Sequence, residues 1–236
     1  DRADQRGDAH RIAKAEANAG RAARSVHLIA VSKVQPNARV RAILDEGHRL
    51  FGENKVQDAL AKSELMDANH PGLEWSIIGG LQTNKAKYVA RFATEFQALD
   101  SLKIAHELDK RLQKEGRQLR VLVQVNSSAE PQKSGIAPEE AVDFARELAA
   151  FDSLDVRGLM TVALNSSDQR AVADCFDLVV ATQEKLRQEA GDTSDWSELS
   201  MGMSGDLEIA IAHGSTQVRI GTDIFGARDP ARTWRP

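Results

Sequence analysis

One cysteine, one tyrosine and an aromatic content of 5% leave several familiar functions without their raw material. Cys175 has no partner for an internal disulfide and no companions for a cysteine zinc site, so a reducing compartment is expected. Nowhere do about 18 apolar residues follow one another, and the N-terminal part has no apolar run of signal-peptide length, so a cytoplasmic protein with no membrane partner is expected. A basic surplus is missing too: 31 Lys and Arg stand against 35 Asp and Glu along the chain, which gives no electrostatic reason for nucleic acid. In that acidic balance Trp75, Trp196 and Trp234 read as packing residues rather than a stacking platform. His10, His27, His48, His70, His106 and His213 show no metal-ligand spacing, so no metal is expected. The G-x-S-x-G elbow, the Walker A loop and the G-x-G-x-x-G fingerprint are all absent, which removes support for hydrolase, P-loop and dinucleotide readings.

What is present is an alternation. At 236 residues, 42% hydrophobic and 28% charged, the chain suits one globular domain spanning 1–236 with a sizeable core. Short β-type apolar runs at 26–31, 49–52, 74–79, 95–99, 119–125, 156–162, 198–202 and 217–221 are each followed or preceded by a stretch of helical periodicity. The helical stretches are an Ala-rich opening segment to residue 24, then 37–46, 56–68, 84–92, 102–115, 139–150, 169–189 and 206–213. Eight strands alternating with eight helices predict an α/β fold, a single (β/α)8 TIM-type barrel. Pro36 and Pro138 suit first helical turns, Asp100 or Ser101 and Ser204 suit N-caps, and Gly47, Gly116 and Gly214 suit helix ends. The looser stretches 127–137 and 165–168 follow strands, which puts them on the functional face of a barrel.

Lys33 comes two residues after the first apolar run, at the C-terminal mouth of strand one. Apolar walls there would favour its neutral amine, the form that attacks an aldehyde to give a Schiff base; the plain alternative is a solvated loop lysine. Ser200-Met-Gly-Met-Ser204 and Arg219-Ile-Gly-Thr222 end strands seven and eight, where barrels place phosphate sites. Gly202 and Gly221 allow close backbone approach, and Ser200, Ser204 and Thr222 offer hydroxyls, although each string alone also suits an ordinary tight turn. Arg219, if it points inward, needs a ligand or a carboxylate such as Glu53 or Asp223. Asn54, in Phe51-Gly-Glu-Asn54, can hydrogen-bond a ring oxygen. Ile78-Gly-Gly-Leu-Gln-Thr-Asn-Lys85 either lines the mouth or makes a turn and caps a helix.

Taken in order, Ala30-Val-Ser-Lys33, Phe51-Gly-Glu-Asn54, Ile78 to Lys85, Lys133-Ser-Gly135, Gly158-Leu-Met160, Ser200 to Ser204, Val218 to Thr222 and Phe225-Gly-Ala-Arg-Asp229 give a chain that resembles, nearly end to end, the pyridoxal phosphate homeostasis protein family. These are single-domain relatives of the alanine racemase N-terminal barrel, of the fold-type III class. The resemblance implies pyridoxal 5'-phosphate as cofactor, with Lys33 as its Schiff-base lysine. It also implies that Ser200, Gly221 and Thr222 hold the phosphate and that Arg219 faces the pyridine nitrogen, while Gly202, Ser204 and Asn54 join the expected cofactor site from their positions at the strand ends. The protein is then expected to be a monomeric carrier or regulator of cofactor supply, transiently meeting apo-enzymes that need the cofactor, with no established turnover. This chain has Lys55 and Ser76 where family members usually carry tyrosine and histidine, at positions expected to flank the site. The rival is an amino-acid racemase or decarboxylase on the same barrel, which needs a second acid/base group. Alanine racemases recruit a tyrosine with help from a further C-terminal domain, and here the chain stops at Pro236 and Tyr88 falls in a predicted helix. A phosphate-sugar enzyme using the same two loops is the third reading.

Overall fold

In the computed structural model, which describes residues 5–226, the apolar runs close into a barrel of parallel strands in sequential order, with the last pairing onto the first. The strands are β1 (His27–Val31), β2 (Leu50–Glu53), β3 (Glu74–Ile77), β4 (Glu95–Leu99), β5 (Leu119–Gln124), β6 (Leu154–Met160), β7 (Glu198–Ser200) and β8 (Gln217–Ile220). Around them run α1 (Arg6–Asn18), α2 (Asn37–Asp45), α3 (Val56–Met66), α4 (Ala86–Phe92), α5 (Leu102–Glu115), α6 (Ala141–Leu148), α7 (Gln169–Glu189), α8 (Leu207–Ala212) and α9 (Thr222–Phe225).

Local chemistry accounts for most of the boundaries. Helix α5 places Ala105, Leu108 and Leu112 on one buried face at helical spacing. It starts where the Ser101 hydroxyl accepts from the Ile104 N–H at 3.4 Å, and it stops at Gly116, whose φ of 62° favours glycine. Asp100, the other cap candidate, is used differently: its carboxylate accepts from the Gly135 N–H at 3.0 Å and holds the 127–137 loop against the strand ends. The outward faces of neighbouring strands carry the large apolar groups that meet the helices. Phe51 and Trp75 are register partners, fully buried, with ring centroids 5.6 Å apart.

Several boundaries differ from the sequence expectation, among them those of β6, which runs over Leu154–Met160 rather than 156–162. The opening helix ends at Asn18, because the Glu16 carboxylate folds the chain back by accepting from the backbone N–H of Arg24 at 3.1 Å and of Val26 at 2.8 Å. Strands β7 and β8 stop at Ser200 and Ile220, before the glycines that begin the loops. The N-cap of α8 is Asp206 rather than Ser204. Helix α9, four residues long, is too short to show a period in sequence. Ala227, Arg228, Asp229 and Trp234 lie outside the described residues.

The inside of the barrel is polar to an extent that the usual layers of branched apolar side chains are not. Ser76, Glu95, Gln97, Ser200, Gln217 and Arg219 are all buried there. Strands β6 and β7 approach so closely that a Cβ at Gly158 would overlap the Glu198 backbone oxygen outright. Gly158→Ala should therefore cost about 3 kcal/mol, near the upper end for an overpacked core. Urea denaturation of the two proteins side by side checks this, and an equally stable variant would contradict the register.

Candidate functional site

At the C-terminal mouth of the barrel lies a cavity of about 510 Å³, within the size range of small-molecule sites. Val31, Ile78 and Val162 give it apolar walls, while Lys33, Gln35, Asn54, Ser204, Arg219 and Thr222 bring polar atoms to it.

Lys33 stands in a tight turn whose ends are tied: the Gln35 N–H donates to the Ser32 carbonyl at 3.1 Å, and the Ser32 N–H donates to the Gly52 carbonyl at 3.0 Å. The next residue, Val34, has a φ of 61° and is half exposed. A β-branched residue in the left-handed region is strained, by about 1–3 kcal/mol, and persists only when its surroundings over-determine it. Those surroundings are a buried clamp. The Ser32 hydroxyl donates to Glu53 Oε1 at 2.6 Å, and Lys62, reaching up from α3, donates to the Ser32 carbonyl at 2.6 Å and to Glu53. Ser32 and Glu53 directly precede the cavity residues Lys33 and Asn54, so one ion pair fixes the exits of β1 and β2 together. Asn54 is held from its other side by Gly79, where a Cβ would overlap the Asn54 carbonyl oxygen. Burial raises the Glu53 carboxyl above its ordinary range, with Lys62 acting in the opposite direction.

Arg219 is 5% exposed and does point inward, register partner to Ile29. Nη1 donates to the Ser200 hydroxyl at 2.6 Å and Nη2 to the Thr161 carbonyl at 2.7 Å. Neither carboxylate suggested as its partner reaches it. Glu53 is taken by Lys62 on the far side of the strands, and Asp223 accepts from Arg11 at 2.8 Å. Among the described residues no carboxylate forms an ion pair with Arg219. Burial draws its pKa down to about 10, the Asp206 charge pulling back. It remains cationic at neutral pH, and a guanidinium carries five N–H donors, so donors are left over for the cavity that it lines.

Of the phosphate-loop residues named from sequence, the structure brings Ser204, Gly221 and Thr222 to the cavity wall but not Ser200 or Gly202. Ser200 is fully buried and spends its hydroxyl on Arg219 and Gln97. Gly202 has a φ of 102° and turns the chain under α8, where a Cβ would stand 2.7 Å from that of Ala210. Gly202 supports the loop from behind, while the Ser200 hydroxyl faces the barrel interior. Gly205 lines the cavity and was missed: a Cβ there would meet no atom within 4 Å, which makes it an open cradle. Its position next to Ser204 in a small-residue string was the available signal. The outer side of this loop is tied down by Arg11 of α1, which donates to the Ser204 carbonyl at 3.0 Å and pairs with Glu208 and Asp223. Neither position that departs from the family pattern lines the cavity. Lys55 is exposed at the N-cap of α3, and Ser76 is buried inside the barrel, donating to Glu95 at 2.9 Å. Lys85 sits over the Tyr88 ring, 5.9 Å from its centroid, and of its string only Ile78 lines the cavity. Lys133 pairs with Glu130 and donates to the Ala163 carbonyl at 3.1 Å.

A closed parallel barrel with a lysine at the mouth of its first strand defines the class, and residues 9–229 match the family model described as "Alanine racemase, N-terminal domain", to which the chain belongs. Within that class it belongs with the pyridoxal phosphate homeostasis proteins. It is 40% identical to the pyridoxal phosphate homeostasis protein of Vibrio cholerae over 223 residues, 94% of this chain and 93% of that one. PipY of Synechococcus elongatus PCC7942, solved with PLP bound, is 34% identical with a TM-score of 0.81, over 91% of this chain and 100% of PipY. A Bifidobacterium adolescentis protein gives a TM-score of 0.86 at 34% identity, over 93% of this chain and 92% of that one.

The clamp beneath Lys33 generates a prediction. Lys62→Met leaves Glu53 buried without its counter-charge and should cost about 3–5 kcal/mol near neutral pH. A carboxyl whose pKa is raised on folding costs nothing while protonated, and the penalty develops as pH rises above 4.5, its ordinary value. The deficit should therefore be small in acid and grow toward neutrality in urea denaturation at a series of pH values. A deficit that does not change with pH would contradict this account of the pair.

Proposed function

We propose that this protein binds pyridoxal 5'-phosphate at the barrel mouth as a Schiff base on Lys33, and serves intracellular cofactor homeostasis as a carrier or regulator rather than as an enzyme. One observation carries the non-enzymatic half: among the described residues lining the cavity, Lys33 and Arg219 are the ionisable side chains, and Arg219 keeps its proton. Moving a proton on or off both faces of a substrate carbon needs two exchangeable groups, and Lys33 supplies one. Tyr88, the chain's single tyrosine, is on α4 beside Lys85, Lys87 and Arg91. The names of the relatives and the PLP seen in PipY support the same reading.

The residues fit the cofactor. When bound it supplies an electrophilic carbonyl carbon and a ring that withdraws electrons. Lys33 provides the amine, and the turn tied by Ser32 and Gln35 aims it. Asn54 hydrogen-bonds the ring oxygen, while Val31, Ile78 and Val162 exclude water from the ring faces. Ser204 and Thr222 would donate to the phosphate, for which Gly205 leaves room, while Gly221 lets the loop pack closely against Val31. Arg219 would donate a hydrogen bond toward the ring nitrogen and, being a buried cation, would keep that nitrogen unprotonated. The ring is then a weak electron sink, which suits storage and release. We place the protein in the cytoplasm as a monomer that hands its cofactor to apo-enzymes.

Pyridoxal without its phosphate should bind more weakly by about 3–6 kcal/mol, the loss of two or three charge-assisted hydrogen bonds before compensation. Gly205→Ala should keep wild-type stability yet lose affinity for pyridoxal 5'-phosphate, since its methyl group enters the cavity. Equal binding of pyridoxal and its phosphate would place the phosphate loops elsewhere. The carrier reading is tested by chiral analysis of a broad amino-acid panel with the wild type and Lys33→Ala. Rates should stay near those of free cofactor, while an added apo-enzyme regains activity. Strong Lys33-dependent turnover of any amino acid would install the racemase or decarboxylase reading instead.

A further inference from the structure

Beneath the cavity, a directed chain of side-chain hydrogen bonds runs down the barrel axis. Arg219 Nη1 donates to the Ser200 hydroxyl at 2.6 Å, and that hydroxyl donates to Gln97 Oε1 at 2.6 Å. Gln97 Nε2 donates to Glu95 Oε1 at 2.5 Å and to Gln217 Oε1 at 2.6 Å. Every member is buried, Gln97 and Ser200 completely. Glu95 sets the direction. The Glu95 carboxylate accepts only, so it claims the amide nitrogen of Gln97 and leaves the amide oxygen facing Ser200. Ser200 then commits its proton to Gln97 and has a lone pair for Arg219.

We infer that Gln97, acting through Ser200, is a positioning residue that sets the plane of the Arg219 guanidinium and thereby the site's preference for a ring nitrogen over a ring C–H. The inference rests on the reading of the cavity as a pyridoxal 5'-phosphate site. Arg219 is anchored from two directions, by Ser200 at the end of β7 and by the Thr161 carbonyl just past β6, so the plane is fixed and the unused N–H edge has one orientation. Remove the Gln97 amide and the Ser200 proton loses its acceptor. Arg219 then loses the polarised oxygen that holds Nη1, while Lys33 and the phosphate loops are untouched.

The experiment compares three ligands: pyridoxal 5'-phosphate, its analogue with the ring nitrogen replaced by C–H, and pyridoxal. Affinities are measured for the wild type, Gln97→Leu and Ser200→Ala, with circular dichroism melts to confirm folding. The wild type should prefer the natural ring to the carbocyclic one by about tenfold, the value of one aligned charge-assisted hydrogen bond. Both variants should shrink that preference to below about threefold. They should still prefer phosphorylated over unphosphorylated pyridoxal by the wild-type factor, and borohydride should still label Lys33. A merely structural role would weaken all three ligands alike. Should Gln97→Leu fail to fold, Ser200→Ala, which removes one oxygen, decides alone. If folded variants keep the wild-type ring preference, the positioning role is wrong while the cofactor reading stands. If the wild type is labelled at Lys33 but binds both rings equally, Arg219 does not read the ring, and the chain has nothing to position. If the wild type is not labelled at Lys33 at all, it is the cofactor reading that has failed.

Discussion

A guanidinium that pairs with no carboxylate among the described residues, buried at the floor of the cavity, is the constraint around which this barrel is organised. Leaving an arginine unpaired in a protein interior costs several kcal/mol, and neutral acceptors repay part of it. Arg219 has two such acceptors, Ser200 and Thr161, and each is held in turn. Thr161 donates to the Val125 carbonyl at 2.7 Å and shares a hydrogen bond with Ser127 at 2.8 Å. The interior is therefore polar where barrels of this type are usually filled with Val, Ile and Leu. The arrangement leaves a positive charge, which Asp206 offsets only in part, facing a cavity, a place suited to a ligand with a lone pair or negative charge.

The second buried network sits outside the strands and does different work. Glu53, Lys62 and Ser32 tie the exits of β1 and β2 from the helix side, so that Lys33 and Asn54 emerge in fixed positions although the turn between Ser32 and Gln35 contains a strained Val34. A third anchor, Arg11, reaches across from α1 to the loop after β7 and to α9. Lysine, guanidinium and phosphate loops are thus held by three separate sets of partners, attached to different helices or strands. On the proposed function, independence of this kind lets one attachment to the cofactor be broken while the others persist.

Much of this was legible in the sequence because barrels repeat one local rule eight times. The run Glu95–Leu99 and the helices Leu102–Glu115 and Gln169–Glu189 are found within the expected bounds, since apolar period, N-cap and stop signal agree there. Lys33, Asn54, Ser204, Gly221 and Thr222 are placed at the mouth by their positions just past strand ends, where side chains have little freedom to be elsewhere. What sequence position cannot convey is which way a strand-end residue faces and what occupies it. Ser200 ends β7 pointing into the barrel and Gly202 lies under α8, so neither lines the cavity. The plain alternative for Arg219, an ion pair with Glu53 or Asp223, fails because those carboxylates have partners of their own, Lys62 and Arg11, from helices distant in sequence. Gln97 and Glu95 gave no signal at all, because a buried polar chain across β4, β7 and β8 exists only once the barrel has closed.

The central claim is that Lys33 is the covalent anchor, and reduction of the cofactor-loaded protein with borohydride followed by peptide mapping tests it most directly. The account predicts that the phosphopyridoxyl label is found on Lys33 and that Lys33→Ala is not labelled there yet retains some cofactor through its phosphate contacts. A label found mainly on Lys55, Lys85 or Lys133 would contradict it.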